Sequence, residues 1–229
     1  MSEPSSIESI LGQAGRQERE YDWLGAAGSY KRASILVPEQ DYSRSGEIYE
    51  RLGYAFYRAT MQAESQEEFR DRMSQAFANY ENAKKSYGCL SEPGRAPRMF
   101  RCDAMIAYMG YWLTSEVPEK KKLIDECWKL TKEALEGFKG AGDAWEYGKT
   151  YNQLSSSAFL GYALEWTFQA GERIIRSAME CGEQAITLLS SVGDPIELAR
   201  AYVKAAFYLI TFGFYFVPDL DERERHHQK

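Results

Sequence analysis

Gly142-Asp143-Ala144-Trp145-Glu146-Tyr147-Gly148-Lys149-Thr150-Tyr151-Asn152-Gln153-Leu154 decides the fold, because its pattern returns 51 residues later. The second copy opens on Gly193-Asp194 and continues as Leu198-Ala199-Arg200-Ala201-Tyr202-Val203-Lys204-Ala205, matching Asp143 with Asp194 and Tyr151 with Tyr202. Upstream of each Gly-Asp turn, Lys132-Glu133-Ala134-Leu135-Glu136-Gly137-Phe138 corresponds to Glu183-Gln184-Ala185-Ile186-Thr187-Leu188-Leu189. Two periods back the pattern reaches Tyr49-Glu50-Arg51-Leu52-Gly53-Tyr54-Ala55, with Cys102-Asp103-Ala104-Met105 as a weaker copy between. A period of about 51 residues accommodates two helices of roughly 20–25 residues, rods of about 30–37 Å at 1.5 Å per residue.

The turns carry the chemistry of helix stops and starts. Asp143, with Glu146 three residues on, is placed to accept from the orphan N–H groups of a new helix. Asp194-Pro195-Ile196-Glu197 repeats this with proline in the first turn. Each such cap stabilises by about 1 kcal/mol. Similar signals predict a first helix from Ser5 towards Leu36, a second from Asp41 or Ser43 to about Ala63, and a third from Ser65 to Tyr87-Gly88. Further helices are expected from Arg98 to Leu113, Pro118 to Gly140, Asp143 to about Trp166, around Gly171 to Val192, and Asp194 to Val217. Pro218, Asp219 and Glu222 announce one more. No stretch alternates with period two, so strands are not expected.

The sequence therefore predicts an all-α chain, antiparallel helix-pair repeats stacked in an α-solenoid. A single domain over 1–229 is expected: an N-terminal helix (1–40), helix pairs over 41–92, 93–142 and 143–193, and a last helix plus the start of another over 194–229.

Leu52-Gly53-Tyr54-Ala55-Phe56-Tyr57 resembles the first-helix signature of tetratricopeptide repeats. Glu133-Ala134-Leu135 and Gln184-Ala185-Ile186, each running to a Gly-Asp turn, resemble the second helix and its turn. The Gly-Asp form is also similar to repeat segments of maltose-regulator and LuxR-type transcription regulators. The familiar repeat has a 34-residue period and a terminal proline, so this one is elongated. The resemblance implies a superhelical scaffold whose first helices line a concave surface that binds a protein or peptide.

Composition narrows the function. A net charge of −6 and a pI near 5.2 argue against direct nucleic-acid contact. The uncharged run Ala205–Pro218 is shorter than the roughly 20 residues of a bilayer span. Cys89, Cys102, Cys127 and Cys181 form no Cys-x-x-Cys pair and read as free, buried thiols of a cytoplasmic protein. The two histidines, His226 and His227, lie together in a charged terminal stub. No phosphate loop, nucleophile elbow or Glu-x-x-His pair occurs, so neither an enzyme, a cofactor nor a metal site is expected.

Arg44, Arg51 and Arg58 recur every seven residues and share one helix face with Glu47 and Tyr54. Equivalent positions in later copies hold Tyr111, then Lys149 and Gln153, then Arg200 and Lys204. If first helices line the groove, these residues make a basic and aromatic surface suited to an acidic peptide. The competing reading is a solvated face pairing locally with Glu47, Glu50 and Glu146. Tyr49, Phe56, Tyr151, Leu154, Tyr202 and Leu209 have the spacing of interhelical core. The last helix is apolar almost all round, which makes Phe207, Phe212, Phe214 and Phe216 candidates for a dimer or partner interface. An alternative function is a small-ligand sensor with an aromatic pocket near Tyr111, Trp112 or Trp166.

Overall fold

The computed structural model describes residues 6–91, 94–165, 167–193 and 195–217. Among these it contains helices α1 (Ile7–Arg19), α2 (Trp23–Leu36), α3 (Tyr42–Thr60), α4 (Gln66–Gly88), α5 (Arg95–Leu113), α6 (Val117–Ala141), α7 (Ala144–Ala163), α8 (Phe168–Val192) and α9 (Pro195–Phe216). No strand occurs among the described residues, and no helix among them is long and apolar enough to cross a membrane. The fold class is all-α, antiparallel helix pairs stacked as repeats in the manner of an α-solenoid.

Three starts fall on capping residues that the sequence marks. The side chains of Asp41, Ser65 and Asp143 accept from the N–H groups of Arg44, Glu68 and Glu146 at 3.1, 3.1 and 3.0 Å. Gly142 and Gly193 end α6 and α8 with φ of 71° and 74°, the left-handed conformation that glycine adopts without a Cβ penalty. Ser5, Trp166, Asp194, His226, His227 and the further helix after Pro218 lie outside the described residues.

The single N-terminal helix expected over 1–40 is instead a hairpin of α1 and α2. Tyr21 takes a left-handed φ of 60°, and the Asp22 side chain accepts from the N–H of Gly25 at 2.9 Å to start α2. Reversal lets α2 bury Trp23, Ala26, Tyr30 and Ala33 in the core that Ile10 and Ala14 of α1 share. A continuous helix would leave those side chains without cover.

The chain divides into two compact units at Leu113/Thr114, α1–α5 and α6–α9. The segment expected to form one pair, 93–142, thus supplies α5 to the first unit and α6 to the second. In the first, consecutive helices pack in order. Ile48 and Leu52 of α3 sit at 2% and 3% exposure, each burial stabilising by about 1.5–3 kcal/mol. Gly53 lets α3 close on α4, since a Cβ there would stand 2.8 Å from the Tyr80 ring. Met73, Tyr80, Tyr87, Cys102 and Met109 continue the core through α4 and α5.

In the second unit α7 packs on α6, α8 and α9. Leu154, Ala158, Ile175, Leu189, Tyr208 and Phe212 form its interior. Two expected core or buried positions differ. Tyr202 is 54% exposed, because Ala201 beside it takes the inward position of α9. Cys89 is exposed at the end of α4, while Cys102, Cys127 and Cys181 are buried.

Candidate ligand-binding faces of the two units

In the first unit, α1 and α3 bring the arginine stripe into a cleft of about 550 Å³. Leu11 and Ile48 give it an apolar floor, and Tyr30, Asp41, Ser43, Arg44, Glu47 and Arg51 give it polar walls. Arg44 and Arg51 line it together because seven residues are close to two helical turns, about 10.5 Å along α3.

Neither guanidinium is isolated. Arg44 donates to Glu8 of α1 at 2.5 Å, and this bond holds the Glu8 carboxyl below its usual range. Arg51 lies 4.0 Å from Glu18 Oε2 and donates to the Tyr30 hydroxyl at 3.3 Å. That hydroxyl in turn donates to Glu18 at 3.0 Å, and burial pushes the Tyr30 phenol up to about 12. With Asp41 and Glu47 also present, the lining carries both signs of charge, in contrast to the basic groove expected. About half of the Arg51 side chain (48%) remains exposed, against 32% for Arg44.

Arg58 and Tyr54 sit further along α3 and do not line the cleft. Arg58 lies over the Trp23 ring at 4.7 Å and donates to the Tyr54 hydroxyl at 2.9 Å. Tyr111 is buried, with its ring edge-on to Trp112 at 5.1 Å.

In the second unit, the corresponding basic residues are engaged within the protein. Lys149 lies 3.6 Å from Glu146 and 4.0 Å from the Trp145 ring. Lys204 of α9 donates to the carbonyl and side-chain oxygens of Asn152, both at 3.0 Å. Asn152 donates to Glu197 at 3.1 Å, and Glu197 pairs with Arg200. These contacts form a polar seam that joins α7 to α9. The Gln153 side-chain nitrogen is buried beside it and has no hydrogen-bond partner among the described residues.

Of the four phenylalanines on α9, only Phe207 and Phe214 are exposed, at 50% and 60%. Phe212 is a core residue against Ile175 and Val217, and Phe216 packs on Tyr162 and Phe168. A second, smaller pocket of about 320 Å³ lies in this unit, lined by Trp128, Glu165, Ala170, Arg173, Ile174 and Ser177. The Trp128 indole N–H is buried with no hydrogen-bond partner among the described residues. No cluster of metal-ligating side chains occurs among the described residues.

The seven-residue arginine spacing was readable from sequence. Glu8, Glu18 and Tyr30 were missed as partners, because the turn at Tyr21 that brings α1 and α2 beside α3 has no glycine or proline to mark it.

No family model matches the chain, and no curated protein matches it. Among solved structures it is similar to the Rap conjugation gene regulator of the plasmid pLS20 in complex with the Phr* peptide, with TM-score 0.51 and 13% identity over 96% of this chain. The chain spans 61% of that regulator's length. A de novo designed helical repeat protein, DHR64, aligns over 97% of this chain and 88% of its own at 16% identity, with TM-score 0.33. At 13% identity the likeness to that regulator is one of fold alone.

Proposed function

We propose that the chain is a peptide- or protein-binding scaffold, the interaction segment of a signalling or transcription-regulatory protein, and that the α1/α3 cleft is its principal binding site. The cleft carries the reading. It joins an apolar floor to a partly exposed Arg51, beside Arg44 and the carboxylates of Asp41 and Glu47.

Such a lining suits an extended peptide with an apolar residue on Leu11 and Ile48 and a carboxylate towards Arg51 and Arg44. The ion pairs already present do not prevent this. An exposed pair is worth about 0–1 kcal/mol, so a ligand carboxylate competes with Glu8, whose side chain is 70% exposed. The likeness to a regulator solved with a peptide supports the class of partner. Kinship with tetratricopeptide-like regulators and a cytoplasmic setting belong to the same proposal. The residues of the second unit, Lys149, Gln153, Arg200 and Lys204, take a supporting role, since Lys149 and Arg200 pair within their own helices and Lys204 ties α9 to α7.

Peptide display on the full chain tests this reading. Carboxylate-bearing, apolar-containing sequences should enrich on the wild type and disappear with Arg44→Glu/Arg51→Glu. Equal enrichment on both would refute the site.

A second reading rests on the pocket lined by Trp128, Ile174, Glu165 and Arg173, which joins an aromatic wall to charges of both signs. A compound that raises the melting temperature of the wild type but not of Trp128→Phe would favour it.

A further inference from the structure

Val203, Phe207, Ile210 and Phe214 of α9 are 71%, 50%, 53% and 60% exposed. They lie opposite the buried Ala201, Tyr208 and Phe212, and at 3.6 residues per turn all four fall within about 60° of one another. Their spacing of four, three and four residues is that of a coiled-coil seam. No charged residue interrupts the helix after Lys204. Residues 218–229 read Pro-Asp-Leu-Asp-Glu-Arg-Glu-Arg-His-His-Gln-Lys, with Leu220 as their one large aliphatic residue, so they hold no matching apolar stripe.

We propose that a second copy of the chain covers this face, α9 against α9, antiparallel about a twofold axis between Phe207 and Ile210. The sequence of the seam is self-complementary in that arrangement. Val203 meets Phe214 of the other copy and Phe207 meets its Ile210, so each of the four layers sets an aromatic ring against a β-branched side chain. A twofold contact requires such reciprocity, residue for residue. Parallel pairing would stack Phe207 on Phe207 and Val203 on Val203, alternately overfilling and underfilling the layers. Charge does not oppose the contact, since the seam itself is uncharged. Four layers span about 16 Å of helix, which places the contact at the small end of stable interfaces, on the order of 1,000 Å² in total. The association is therefore reversible and dependent on concentration.

The experiment uses the full chain, with Cys89→Ser to remove the exposed thiol. Sedimentation velocity from about 5 to about 500 μM should show monomer passing to dimer, the range expected of a small interface. Ile210→Glu, checked by circular dichroism to keep its helix content, should weaken the dimer at least tenfold. A mixture of Val203→Cys and Phe214→Cys chains should form a disulfide on mild oxidation. Val203→Cys alone should not, because its two sulfurs would be about 16 Å apart along the helices, beyond the ~7 Å Cα limit of a disulfide. A wild type that stays monomeric throughout overturns the proposal and leaves the face to another occupant. So does a dimer indifferent to Ile210→Glu, or Val203→Cys cross-linking to itself as readily as to Phe214→Cys.

Discussion

Arg101 donates to Glu50 at 2.7 Å across 51 residues of sequence, one full repeat, and joins α5 to α3 inside the first unit. Seven residues further along both helices, the hydroxyls of Tyr57 and Tyr108 lie 3.1 Å apart at the same interval. The repeat is thus expressed as polar links between alternate helices as well as in its turns. The second unit has the same device, where Lys204 reaches Asn152 across 52 residues.

Because the Arg101 side chain is 2% exposed and that of Glu50 11%, their pair is costly to break and cheaper to remove whole. Arg101→Met leaves a buried carboxylate and is expected to destabilise by about 3–5 kcal/mol. Arg101→Met with Glu50→Gln removes both charges and keeps an acceptor for the Tyr87 hydroxyl, which donates to Glu50 at 3.0 Å. Urea denaturation should show the double variant more stable than the single one. The reverse order would show that the pair does not act as a unit.

Two glycine substitutions should have opposite signs. Gly53→Ala places a methyl 2.8 Å from the Tyr80 ring and 3.1 Å from the Ala76 carbonyl, and is expected to cost about 1–3 kcal/mol. Gly12→Ala in α1 meets nothing within 4 Å and should stabilise by about 0.5–1 kcal/mol through helix propensity. Thermal melts of the two variants check both.

Alkaline pH should weaken the fold. Burial pushes the thiols of Cys127 and Cys181 up from 9.0 to about 12 and about 11, and the Tyr30 phenol from 10.0 to about 12. The folded chain keeps protons that the unfolded chain has already released. Stability is therefore complete below pH 9 and is lost as pH rises through these values, on the order of 1 kcal/mol per pH unit for each group. Urea midpoints measured at about pH 7, 9 and 10.5 should fall only in the last interval. The same burial predicts that Cys89 alone among the four thiols reacts quickly with a maleimide.

Helix starts were legible where a short polar side chain stood alone before an apolar stripe, as at Asp41, Ser65 and Asp143. The break at Tyr21 was not, because a left-handed tyrosine between Glu20 and Asp22 is imposed by the packing of α2 against α1. That one turn determines the site. It puts Glu8 and Glu18 opposite Arg44 and Arg51, so a stripe that reads as basic in sequence becomes a cleft of mixed charge in space. On α9, periodicity identified an apolar helix, but only the neighbours of Phe212 and the exposure of Val203 and Ile210 separate its core from its open face.

The most direct measurement of the central claim is a charge swap at the α1/α3 cleft. The probe is a fluorescein-labelled, about 15-residue proline-rich peptide with a leucine and a glutamate in each repeat, read by anisotropy against the full chain at low salt. The account predicts saturable binding to the wild type, at least tenfold weaker binding to Arg44→Glu/Arg51→Glu, and recovery when lysines replace the glutamates of the peptide. Equal affinity of the glutamate peptide for wild type and variant, with no gain from the lysine peptide, would contradict it.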